Sequence, residues 1–191
     1  MAREALRNGN PEGPPTMQSL PDVAKSSASP RVQSGMTLAR QVLATRIPAP
    51  PSDRSYQHLQ SWIDHDVVPW VTARRESVDE TRFQFGLEDG ASDDERVVAT
   101  AVIGLLQEDT ALALASIPSP SELDTEPEVE EMFRDLVRTQ SEPFQNAALD
   151  QYRTCANRAY ESSPELRRWA LYCHKRFDHL EGQLQAMNDA H

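Results

Sequence analysis

The chain has 191 residues, a formal net charge of −11 and two cysteines, with 38% hydrophobic and 6% aromatic side chains. That length suits one domain plus a tail rather than a large two-domain enzyme. The acidity excludes a general nucleic-acid binder, which needs a basic footprint. Two cysteines cannot staple a disulfide-rich mini-fold, and no apolar run reaches the roughly 18 residues of a membrane span.

The charge is unevenly placed. No Phe, Trp or Tyr precedes Tyr56, and eight of the 14 prolines lie at or before Pro51. Up to residue 55 there are seven basic side chains (Arg3, Arg7, Lys25, Arg31, Arg40, Arg46, Arg54) and four acidic ones (Glu4, Glu12, Asp22, Asp53). That segment therefore carries +3 and the remainder −14. Such a composition buries too little apolar surface to offset ordering entropy. The expected organisation is a disordered Pro/Ser-rich basic tail over 1–54 and an acidic helical domain over 55–191.

One amphipathic stretch lies inside the tail. Gly35 to Ile47 sets Met36, Ala39, Val42, Leu43 and Ile47 on one helical face and ends at Pro48. It reads either as a short helix docked on the body or as a partner-binding helix that folds on contact. In the second reading Met36, Val42, Leu43 and Ile47 are the contact residues. Residues 1–20 contain no apolar signal-peptide core, so a cytoplasmic location is expected on that ground.

The body reads as helices with explicit stops and starts. Leu59, Trp62, Ile63, Val67, Trp70 and Val71 form a helical stripe over Tyr56 to about Glu76, which Pro69 kinks. Ser77 to Glu80 fits a capping box, and Thr81 to Leu87 alternates like an extended segment, laying Phe83 and Phe85 on the core. Ser92 to Glu95 is a second capping box, opening a buried helix through Val97, Val98, Val102, Leu105, Leu106 and Leu114 that ends before Pro118. Thr125 to Glu128 is a third, followed by a stripe of Val129, Met132, Phe133, Leu136 and Val137. Ser141 and Pro143 mark another start, giving helices at about 144–161 and, from Ser163 and Pro164, about 164–184. The predicted fold is all-α: an irregular antiparallel bundle of five to six helices closed by a C-terminal hairpin.

Cys155 and Cys173 each lie nine residues from Pro164. In an antiparallel hairpin both stand about 13 Å from the turn, level with each other and facing the seam. That arrangement fits a disulfide, worth roughly 3 kcal/mol for a loop of this length. It fits two small buried thiols as well. Oxidation would point to a periplasmic or envelope location rather than the cytoplasm.

No phosphate loop, HExxH, G-x-S-x-G or CxxC pattern is present, and no catalytic residue is assigned. His58, Asp64, His65 and Asp66 cluster on the first body helix, where surface histidines are the ordinary reading. Neither a metal nor a cofactor is expected. Six carboxylates, Glu122, Asp124, Glu126, Glu128, Glu130 and Glu131, crowd ten residues without a basic one. They read as helix-start charge on a solvated face, or as a docking surface for a basic partner. The expected function is therefore protein interaction or scaffolding without catalysis, through the acidic body and the flexible tail. The alternative is a periplasmic or lipoprotein-like envelope protein held by one disulfide.

Overall fold

The computed structural model describes residues 15–23, 29–87, 90–161 and 166–189. Five helices account for most of them, with no strand among the described residues. Helix α1 is Pro30–Ala44, and Ser29 caps it by accepting the Val32 N–H at 3.3 Å. Proline at the first helical position costs no hydrogen bond.

Helix α2 comprises Tyr56–Trp62, a π-helical turn Ile63–Val67, and Val68–Gln84. Pro69 cannot donate to the His65 carbonyl and crowds it. The π turn just before it, where Val68 N–H reaches the Ile63 carbonyl, lets the helix continue. The helix also continues through Ser77, which corrects the capping box expected there. The Ser77 and Thr81 hydroxyls donate to the Ala73 and Ser77 carbonyls, at 2.8 and 2.7 Å, within one unbroken ladder. The extended segment expected over 81–87 is likewise helical as far as Gln84. Phe85 is wholly buried, but Phe83 is 67% exposed, so one phenylalanine reaches the core rather than two. Gly86 ends the element at φ 66, a left-handed conformation that favours glycine.

Helix α3 is Asp93–Ala115, and its capping box forms as expected: Ser92 Oγ accepts from Glu95 N–H, while Glu95 accepts from Ser92 N–H. A 3₁₀ turn, Ser121–Thr125, leads to α4, Pro127–Glu161, a single 35-residue helix. Thr125 lies in the 3₁₀ turn; the Glu126 carbonyl accepts the first helical N–H groups, from Val129 and Glu130. The break expected at Ser141–Pro143 is absent. Ser141 is buried and donates to the Arg138 carbonyl at 2.8 Å, and the helix runs on through Pro143. Helix α5 is Arg167–Asp189; the start expected at Ser163 and Pro164 lies outside the described residues.

Two apolar clusters share α3. The larger joins α1, Phe85, Val97 to Leu106, and the α4–α5 seam around Tyr152 and Trp169. The smaller joins Leu59, Trp62, Val67 and Trp70 of α2 with Ala111, Leu114 and Phe144. The segment before residue 55 is thus not a free tail throughout. Val32, Met36, Ala39, Val42 and Leu43 lie in the larger cluster, at about 1.5–3 kcal/mol for each large side chain buried. Aromatic-free composition misses this, because aliphatic side chains alone supply the apolar face of α1. Cys155 and Cys173 form a disulfide across the α4–α5 seam, with Cα atoms 6.0 Å apart.

Candidate functional site

Glu108 and Asp109 are neighbours on α3, so their side chains leave the helix about 100° apart. Each meets a buried arginine. Glu108 is 1% exposed and Arg176 2%. The Arg176 fork grips both carboxylate oxygens, with Nε to Oε2 at 3.1 Å and Nη2 to Oε1. The Tyr152 hydroxyl donates to Oε2 at 2.9 Å. Burial, then the charge and hydroxyl of Tyr172, push the Tyr152 phenol well above its ordinary value, so it serves as a neutral donor. Burial brings Arg176 down to about 10, which still leaves it cationic at neutral pH. This cluster ties α3, α4 and α5 together, and the Tyr172 hydroxyl extends it to Ser19 at 3.4 Å.

Asp109 faces the other way. It pairs with Arg74 of α2, whose Nε donates to Thr110 Oγ1 at 3.1 Å and whose Nη1 reaches the Val42 and Thr45 carbonyls. A cation at those last carbonyls of α1 is favoured by the helix dipole. Burial pushes the Asp109 carboxyl up, opposed by Arg74 and Arg46. These charges are spent on one another. A cavity of about 40 Å³ lined by Val42, Thr45, Trp70, Ala73, Arg74 and Ser77 lies beside them. It is far below the roughly 300 Å³ at which small-molecule sites begin.

His58 and His65 lie on the surface, in keeping with the ordinary reading. His58 Nδ1 meets Asp53 at 2.8 Å, whereas His65 Nδ1 faces the Ser61 carbonyl of its own helix, and both are exposed. Among the described residues no group of three His, Cys, Asp or Glu could hold a metal ion.

The acidic segment divides in two. Glu122 accepts the Tyr56 N–H at 3.0 Å on both oxygens, which holds its carboxyl below the ordinary value and caps α2. Asp124 pairs with Arg54 at 3.0 Å, and Glu130 takes Ser119 Oγ at 3.1 Å and Arg134. Glu126, Glu128 and Glu131 are exposed, and no hydrogen bond or ion pair joins their carboxylates to the described residues. Beside them lies an apolar line. Val129, Met132 and Leu136 are 41, 70 and 59% exposed on one face of α4, and no residue from 121 to 140 is buried. Spacings of three and four make them one stripe.

Met36, Val42 and Leu43 are buried within the chain, and Ile47 is partly buried against the smaller cluster. Their contacts are internal, whereas the α4 stripe is accessible. The α4 stripe is legible in the sequence; its exposure is not, because periodicity marks an apolar face without saying what covers it. No family model, curated protein sequence or solved structure matches the chain.

Proposed function

We propose that this protein is a non-catalytic interaction module that receives a cationic amphipathic protein segment on the N-terminal part of α4. The observation that carries the reading is the exposed Val129–Met132–Leu136 stripe flanked by Glu126, Glu128 and Glu131. A helix seated on the stripe buries apolar surface, and basic flanks on it meet the carboxylates. The buried arginine pairs support this role by fixing the helices that carry α4.

The test is titration of a labelled Leu/Lys amphipathic peptide into the protein at low and high salt. Tight binding is expected at low salt, weakened by salt. Met132→Ser with Leu136→Ser should abolish it while leaving the melting temperature unchanged. Equal binding by that variant would refute the reading, since charge alone would then account for it.

The disulfide favours a second reading, that the protein works in an oxidising compartment. Thiol alkylation in intact cells separates the two cases: Cys155 and Cys173 protected from alkylation supports that location, and free thiols reject it.

A further inference from the structure

We infer that the segment received by the α4 stripe is the outer face of α5 on a second copy of this chain, so that copies dock through unlike patches. This inference rests on the reading of α4 just given. Leu171 is 56% exposed on α5. Arg167 and Arg168 precede it by four and three residues, and His174 and Lys175 follow it by three and four. All four are exposed. On a helix those spacings place them around Leu171 on one face.

The α4 face carries the opposite sign. Met132 has Glu128 four residues before it and Asp135 three after, with Glu131 adjacent. Glu128 and Glu131 lack ion-pair partners among the described residues, as do Arg167, Arg168 and Lys175. Asp135 pairs with Arg138 and His174 with Asp178, so the charges left to act are Glu128 and Glu131 on one patch and Arg167, Arg168 and Lys175 on the other, and each patch supplies what the other lacks.

The two patches of one molecule cannot meet. Cys155 and Cys173 are level, so Leu171 stands roughly 35 Å along α4 from Met132, at about 1.5 Å per residue. Pairing two copies through like patches sets carboxylate against carboxylate or guanidinium against guanidinium. The favourable contact joins unlike patches of different copies. Two such contacts made reciprocally about a two-fold close a dimer, and a single one leaves a patch of each kind open and continues to a ring or a filament.

The test is sedimentation of the full-length chain across concentration at low and high salt. The wild type should associate at low salt and dissociate at high salt. Glu128→Lys with Glu131→Lys should be monomeric, as should Arg167→Glu with Arg168→Glu. Mixing these two variants should restore association, because one then carries two basic patches and the other two acidic ones. All four positions are exposed, and circular dichroism confirms that each variant is folded. A wild type that stays monomeric at low salt overturns the inference, as does a mixture of folded variants that fails to associate. If the Leu/Lys peptide still binds α4 while the chain stays monomeric, self-docking falls and the interaction reading stands. If the peptide fails too, both fall.

Discussion

Glu108 sits in phase with Ala101 and Leu105, and Arg176 in phase with Trp169, Cys173 and Leu180, each on an otherwise apolar stripe. A charge in phase with a buried stripe signals a buried partner, but the sequence does not say which of many opposite charges it is. Removing one member leaves the other desolvated and uncompensated. Glu108→Gln, or Arg176→Met, should cost about 3–5 kcal/mol in urea unfolding. The double replacement Glu108→Leu with Arg176→Met should recover most of that loss, because a well-packed apolar pair carries no desolvation penalty. If the double variant is as unstable as the singles, the pair holds its helices by more than charge compensation.

Glu95 makes a residue-scale prediction with a pH sign. The Ser29 side chain, then the Ser92 backbone N–H, holds its carboxyl below the ordinary value of 4.5. A carboxyl whose folded value is depressed contributes stability above the unfolded value and loses it as pH falls through the folded one. The stability difference between wild type and Glu95→Gln should therefore be present at neutral pH. It should disappear in acid below that window, as read by denaturant midpoints at both pH values. A difference that persists in acid would assign the Glu95 contribution to packing.

At the scale of elements, α1 is where backbone approach decides the fit. A Cβ at Gly35 would stand 2.7 Å from the buried Phe85 ring. Alanine gains up to about 1 kcal/mol of helix propensity, whereas overpacking a rigid ring costs roughly 1–3 kcal/mol. Gly35→Ala should therefore destabilise the protein, and a raised melting temperature would show that Phe85 can move aside. The docking that makes Gly35 critical was half legible. The spacing of Met36, Ala39, Val42 and Leu43 showed an amphipathic face, but the Pro/Ser-rich surroundings argued for disorder. What decides the matter is the complementary surface at Phe85 and α3, far away in sequence.

The same limit explains the other differences. The Ser92 box and the level cysteines were readable because each is a local geometry. The alternation around Phe83 and Phe85 was too short to outweigh a helix already running from Val68. Ser141 and Pro143 looked like the start of a separate helix because proline disfavours helix interiors, yet buried Ser141 and Phe144 anchor both sides of Pro143. Tertiary contacts on each flank outweigh a local loss of about 3 kcal/mol.

At the scale of the whole molecule, the net charge of −11 conceals a separation. Carboxylates gather where α4 begins, and cations gather on the outer face of α5. Buried arginine pairs on opposite sides of α3 hold the helices in place, so the exposed faces of α4 and α5 are carried on a fixed frame. The sequence showed the acidic run but not which carboxylates are already used; Glu122, Asp124 and Glu130 are, and Glu126, Glu128 and Glu131 remain. The central claim is that the Val129–Met132–Leu136 face is a docking surface. Hydrogen exchange of the full-length chain with and without the Leu/Lys peptide tests it most directly. Added protection confined to residues 127–140 is the predicted result, and unchanged exchange there under saturating peptide would contradict it.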